Sequence, residues 1–178
     1  NYVEFSGVAP SRSAQLNPVT SEEETTFLMS VAQHRKNKNL NLLIHAFAQL
    51  RQASKLAIET QLVIVGSPGP ETENLKALIE YLNLHGQVKM LPPISDSELC
   101  WLYKATQLFV IPSSTEGFCI PLVEALSLGT KAVCSDLPIF REVGNTNRCR
   151  FFELLAEKTD AHSKVDETES DKDQVNLT

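Results

Sequence analysis

The sequence predicts an α/β fold, a Rossmann-like three-layer sandwich with a parallel sheet, and three observations carry that expectation. Short apolar runs alternate with amphipathic segments through the middle of the chain, which is the pattern of βαβ units. The amphipathic segments carry helix start and stop signals. The 178 residues are 42% hydrophobic, 21% charged and 7% aromatic, ordinary composition for one globular domain with a real core. No internal repeat is present.

Taken in order, the first strand is expected over Phe27 to Ala32, and Leu40, Leu43, Ile44, Phe47 and Leu50 then recur at helical spacing. The second strand spans Gln61 to Gly66 and is followed by a second helical stripe, Leu75, Leu78, Ile79 and Leu82. Val88 to Leu91 reads as the third strand. Ser95 followed by Glu98 is a capping box that starts a helix through Leu99, Leu102 and Tyr103. Leu108 to Ile111 is the fourth strand, after which Pro121 and Gly129 bracket a fourth helix. Ala132 to Ser135 and Arg150 to Phe152 complete the set.

The domain is therefore placed at residues 25–153, flanked by two edges of different composition. Residues 1–24, with Pro10, Ser11, Ser13, Asn17 and Pro18, read as a lead-in or linker, in which Tyr2, Val3 and Phe5 are candidates for pairing. Residues 154–178 form an acidic tail that carries −4 of the net charge of −6. Its apolar residues after Ala156 are isolated, so a solvated tail is expected rather than a binding arm.

Composition also excludes function classes. A net acidic balance argues against broad binding of nucleic acid, which needs a basic face. No apolar run approaches the roughly 18 residues of a membrane span, and the first positions lack the basic flank and apolar stretch of a signal peptide. The expectation is a cytoplasmic location. Cys100, Cys119, Cys134 and Cys149 are far apart and lie in or beside apolar segments, so they read as reduced thiols rather than a zinc knuckle or a disulfide scaffold. His34, His45, His85 and His162 include no i, i+4 pair, and no protein-ligated metal is expected.

In a sheet of this kind ligands bind outside the carboxyl ends of the strands, so the loops that follow strands hold the chemistry. The loop from Pro112 to Pro121 runs through Glu116-Gly117-Phe118-Cys119-Ile120 into a helix, and its free N–H groups, those of Gly117 to Ile120, stand at the positive end of a helix dipole. That arrangement suits a phosphate. Glu116 in the turn and Glu124 near the first helical turn then flank the ligand, placed to accept hydrogen bonds from a sugar on one side and a ribose on the other. The plainer alternative leaves Glu116 solvated and Glu124 compensating the helix dipole. In the loop from Gln33 to Asn39, Arg35, Lys36 and Lys38 face a helix start and are placed to neutralise a diphosphate; a solvated basic loop is the alternative. Gly66-Ser67-Pro68-Gly69-Pro70 is a turn that lets a nucleotide approach backbone, and alone it is weak evidence.

Together these segments resemble a family. Glu116-Gly-Phe-Cys-Ile-Pro-Leu-Val-Glu124-Ala-Leu is similar to the Glu-seven-residue-Glu motif of retaining GT-B glycosyltransferases of the "group 1", or family 4, type, usually EGFGLPxLEAM. Val31 to Leu50 resembles the strand, basic loop and KGxxxLxxAFxxL helix, and Gln61 to Gly66 resembles LxIVGxG. Val88 to Tyr103 resembles VxFLGxVxxxELxxLYxxA, and Lys131 to Gly144 resembles PVVxSDxxxxxEVxG. The segments cover residues 27–153 in the family's order.

The resemblance implies one half of a GT-B fold, the C-terminal donor-binding domain. By position it assigns Glu116 to hydroxyls of the donor sugar, Glu124 to the ribose, and the amides of Gly117, Phe118, Cys119 and Ile120 to sugar and phosphates. Lys38 matches the lysine that stabilises the departing nucleoside diphosphate, so Lys38 and Glu116 are the catalytic candidates. Gln33 and Arg35 complete the donor-binding set. The base is placed near Gly66, Met90 to Ile94 and Ser95. Transfer would go from a UDP- or GDP-sugar to an acceptor hydroxyl, with retention and without a required metal or other cofactor, as in polysaccharide or lipopolysaccharide synthesis, and similarity to mannosyltransferase-like members makes mannose a candidate sugar. The acceptor site belongs to an N-terminal partner domain, and peripheral membrane association is implied only through that half. The isolated chain is expected to bind donor and turn over little.

Two departures bear on this. Ala32-Gln33 stand where the family has Gly-Arg, so one phosphate cation is missing from its place; this keeps open the alternative of a non-catalytic nucleotide-sugar-binding module. Cys119 replaces the commoner Gly and requires φ < 0; it reads as small-residue filling rather than a thiol activated by the helix terminus. A dinucleotide-binding oxidoreductase is disfavoured, because no G-x-G-x-x-G follows the first strand.

Overall fold

The computed structural model describes residues 5, 7–12, 26–144 and 147–154. Six strands are arranged with five α-helices in strict alternation: β1 (Phe27–Val31), α1 (Leu40–Gln52), β2 (Gln61–Val65), α2 (Thr72–Tyr81), β3 (Val88–Leu91), α3 (Asp96–Ala105), β4 (Leu108–Ile111), α4 (Ile120–Ser127), β5 (Ala132–Ser135), α5 (Pro138–Val143) and β6 (Cys149–Phe152). All strand pairs are parallel, in the order β3-β2-β1-β4-β5-β6. The expected strands are all present. The first two end one residue earlier than expected, and the last begins one residue earlier, at Cys149.

Alternation along the strands explains the three layers, because successive side chains point to opposite faces. Leu28, Leu62 and Ile64 face α1 and α2, where they meet Leu40, Leu43, Ile44, Phe47, Leu75 and Ile79. Phe27, Met29, Val63, Val65, Phe109 and Ile111 face the other way, onto Leu102, Tyr103, Leu122, Ala125 and Phe140. The capping box of α3 is formed in both directions: Ser95 accepts from the Glu98 N–H, and Glu98 accepts from the Ser95 N–H. Gly129 takes φ +82 just beyond α4, the left-handed position that glycine occupies after a helix.

Two elements are absent from the sequence-based expectation. Lys36–Lys38 form a short 3-10 turn, and Pro138–Val143 form α5. Part of the expected lead-in is packed: Phe5 is buried, its ring meeting Tyr103 edge-on at 6.1 Å. The Ser11 N–H donates to the Ser97 carbonyl at 3.1 Å, and the Arg12 guanidinium lies 5.6 Å from the Trp101 ring centre. The core thus reaches back before residue 25. The acidic tail beyond residue 154 and the rest of the lead-in lie outside the described residues. No helix among the described residues is long and apolar enough to cross a membrane.

Candidate functional site

β1 and β4 are neighbours at the centre of the sheet, and the helices that follow them lie on opposite faces. Their outgoing loops therefore diverge, which opens a cleft at the carboxyl ends of the strands. Polar contacts bridge it from three successive residues. The Ser114 N–H donates to the Asn37 carbonyl at 2.8 Å, and Asn39 Nδ2 donates to the Pro112 carbonyl at 2.9 Å. Between them Lys38 Nζ meets Glu116 Oε1 at 2.5 Å, with the two side chains 20% and 11% exposed. Ser113 Oγ donates to the same Oε1 at 2.8 Å, and the Ser113 carbonyl accepts from Ser135 Oγ on β5. Asn39 makes this possible by adopting φ 47, a left-handed conformation that asparagine tolerates better than most residues.

The loop after β2 closes the other side. A Cβ on Gly66 would lie 2.0 Å from the Ala32 carbonyl oxygen, and one on Gly69 would lie 2.4 Å from that of His34. Only glycine permits the two backbones to approach so closely. His34 is buried beneath this junction, where its Nδ1 pairs with Thr72 Oγ1 at 3.0 Å; burial and the Lys76 charge lower its pKa.

A crevice of about 520 Å³ results, lined by Gln33, Lys38, Gly66, Ser67, Pro93, Ile94, Leu99 and Pro121 among others. It brings Lys38 and Gln33 together with the Gly66 turn and the segment after β3. Met90 belongs elsewhere: it packs against the α1 and α2 core. Arg35 is exposed, and its Nε donates to Gln33 Oε1 at 2.7 Å. Gly117 and Phe118 are exposed at the mouth of the loop before α4.

One expectation about this loop needs correction, and the plainer alternative for its carboxylates does not hold. The Ile120 N–H is not free, because it donates to the Phe118 carbonyl at 3.2 Å; the turn before α4 folds on itself. Glu116 is not solvated, being held by Lys38 and Ser113. Glu124 lies beyond the first turn of α4, is 5% exposed, and accepts from the Tyr103 hydroxyl at 3.1 Å. Burial raises its pKa, and the Tyr103 hydrogen bond opposes that rise. Cys119 caps α4 with φ −88 and is buried. Burial pushes its thiol up to about 11, so it fills space rather than presenting a thiolate. Tyr103, Ser113 and Asn39 are participants that the sequence did not single out. Asn39, an asparagine joining a basic loop to a helix, carried a usable signal; the other two depend on tertiary contacts.

The arrangement offers a lysine on the crevice wall with one carboxylate, Glu116, held against it, while Glu124 and the turn of Gly117 to Cys119 belong to the adjoining α4 and the loop before it. Among the described residues no group of three or more His, Cys, Asp and Glu side chains is placed to hold a metal ion.

Comparison with known proteins gives a consistent result. The profile of the family "Glycosyl transferases group 1" matches residues 11–176. O-antigen chain mannosyltransferase B of Escherichia coli is 29% identical over 137 residues, which is 75% of this chain and 35% of that protein. The MMP α-(1→4)-mannosyltransferase of Mycolicibacterium hassiacum is 37% identical over 106 residues, 60% of this chain and 25% of that protein. The chain thus spans about a third or less of the length of these relatives. Among solved structures, WaaG, a glycosyltransferase of lipopolysaccharide biosynthesis, superposes with a TM-score of 0.65 at 23% identity over 78% of this chain and 36% of its own. HepE of Anabaena in complex with UDP-glucose gives 0.61 at 19% identity, over 76% and 37%. These likenesses show the fold.

Proposed function

The chain belongs to the glycosyl transferases group 1 family, and from that premise we propose that it is the donor-binding domain of a retaining, metal-independent glycosyltransferase. The nucleotide lies in the crevice between Gly66, Pro93 and Ile94, with its diphosphate toward Lys38. The observation that carries the reading is the meeting of Lys38 and Glu116 across the divergence of β1 and β4, beside that crevice. A cation fixed there stabilises negative charge as the nucleoside diphosphate departs, an electrostatic contribution of the kind worth several kcal/mol in other enzymes. Glu116 takes hydroxyls of the donor sugar, and Glu124 takes those of the ribose. The amides of Gly117, Phe118 and Cys119 serve the phosphates. Retention and independence of metal follow from the family resemblance. The named relatives make mannose the first sugar to test. The acceptor hydroxyl belongs to an N-terminal domain, without which this chain binds donor and turns over little.

Calorimetric titration with UDP, GDP, ADP and their sugar conjugates, with and without Mg²⁺, tests the reading. One nucleotide is expected to bind in the micromolar to millimolar range without metal, and Lys38→Met to weaken it at least tenfold. Absence of binding by any of them, or a Lys38→Met variant that binds as well as the parent, refutes it. A second reading, a binding module without transfer, is favoured by the glutamine at position 33 and its capture of Arg35. Sugar transfer by the chain joined to its native N-terminal half rejects that second reading.

A further inference from the structure

Behind the wall of the crevice lies a polar contact that an apolar core does not need. Leu99 of α3 and Pro121 of α4 line the crevice. One helical turn further along each helix, on the same faces, stand Tyr103 and Glu124. Both are buried, and the phenolic hydroxyl donates to Glu124 Oε2 at 3.1 Å. Tyr103 is itself tightly held: Phe109 meets its ring edge-on at 5.3 Å, Phe5 does so at 6.1 Å, and its carbonyl accepts from Thr130 Oγ1 at 2.7 Å. A phenylalanine would fill the same space. Burying a hydroxyl with a carboxylate is costly unless each satisfies the other, so the pair is well suited to fixing the orientation of the carboxylate.

We propose that Tyr103 is a positioning residue for donor recognition: its hydroxyl holds one oxygen of Glu124 and leaves the other for the hydroxyls of a ribose in the crevice. The inference rests on the donor-binding reading and names the device that turns a buried glutamate into a ribose acceptor. Phe5 extends it, because a residue that precedes the first strand buttresses the tyrosine. The hydrogen bond also sets when Glu124 is ionised. The groups that face the carboxylate are Tyr103 and Asp96 on α3 and Cys119 in the loop before α4. Tyr103 favours the charged form, whereas burial and Asp96 oppose it. Ionised Glu124 accepts from ribose hydroxyls, so ribonucleotide affinity falls as acid protonates it. Without the tyrosine hydroxyl, that fall begins at higher pH.

The test measures binding of UDP and GDP and of their 2′,3′-dideoxy counterparts to the parent chain and to Tyr103→Phe, across about pH 5 to 8, with thermal unfolding in parallel. For the parent, the nucleotide that binds is expected to bind tighter than its dideoxy form, and Tyr103→Phe is expected to reduce that preference about tenfold with dideoxy affinity unchanged. The terminal phosphate titrates in this range in both ligands, so the readout is the preference for the ribonucleotide over its dideoxy form: its acid limb shifts upward in Tyr103→Phe and is absent in Glu124→Gln. A purely structural role would lower both affinities together and leave the pH profile in place, which overturns the inference. An unchanged preference in a folded Tyr103→Phe protein overturns it as well. If the parent binds none of the four nucleotides, the donor reading falls and takes this inference with it. If the parent binds and only the preference fails to change, the donor reading stands alone.

Discussion

Glu116→Gln separates two tasks that the ligand-free structure combines in one carboxylate. In the free chain Glu116 neutralises Lys38 at 2.5 Å, so a diphosphate that approaches the lysine must share it with a negative charge. A phosphate oxygen on the far side of Nζ, at the usual charge-assisted distance of about 2.8 Å, lies about 5 Å from Oε1. Two unit charges at that separation repel by about 3 kcal/mol at an effective dielectric near 20. The side chains are 20% and 11% exposed, and solvent screening reduces the repulsion to the order of 1 kcal/mol. Glutamine keeps an oxygen for both Lys38 and Ser113 while removing the charge. Glu116→Gln is therefore expected to tighten binding of the free nucleoside diphosphate about fivefold, while the sugar conjugate, losing a hydroxyl acceptor, gains less or weakens. Calorimetry on both ligands, at low and high salt, reads the difference, and the gain for the diphosphate should shrink with salt. Equal weakening of both ligands refutes the reasoning, because Glu116 would then serve to orient Lys38 rather than compete for it.

Two further outcomes follow from the geometry. Gly66→Ala and Gly69→Ala drive a methyl group to 2.0 and 2.4 Å from backbone oxygens of the β1 loop; each is expected to destabilise by about 1–3 kcal/mol, read by thermal unfolding, and to weaken nucleotide binding, and a variant of parental stability and affinity contradicts the assigned close approach. The Cys119 thiol, pushed up to about 11 by burial from an ordinary 9.0, favours the folded state while neutral. Its contribution is complete below the unfolded value and is lost as pH rises toward 11, so alkaline denaturation should be steeper in the parent than in Cys119→Ala, and coincident profiles reject the assignment.

Periodicity and capping make most of the fold legible in the sequence. The stripes of α1 and α2, the capping box at Ser95 and the Pro121 and Gly129 bracket each depend on residues close in sequence, and the two-faced burial of the strands follows from alternation. What escaped was short or tertiary. α5 has six residues, too few for a helical stripe, although Pro138 at its start and Gly144 just beyond its end were signals of the same kind as those read for α4. Phe5 is legible as a candidate for pairing, but its partner, Tyr103, lies too far along the chain to be read from sequence. The residue types of the candidate site were legible, but their pairing was not: Lys38 and Glu116 are separated by 78 positions.

The N-terminus of α4 offers its dipole to a ligand, yet the polar contacts that bridge the cleft come from the loops. The Ile120 N–H is already used within its own turn, which leaves the dipole end fewer donors than a bare count suggests. Meanwhile residues 37, 38 and 39 each reach across to the segment 112–116, by a carbonyl, an ammonium and an amide in turn. Such contacts hold a cleft that sheet topology would otherwise leave open, and they hold it with the lysine already occupied. Binding a diphosphate there is consequently an exchange of partners rather than the filling of an empty charge site. Donor affinity should therefore depend as much on how firmly Glu116 is retained by Ser113, itself held by Ser135, as on the lysine.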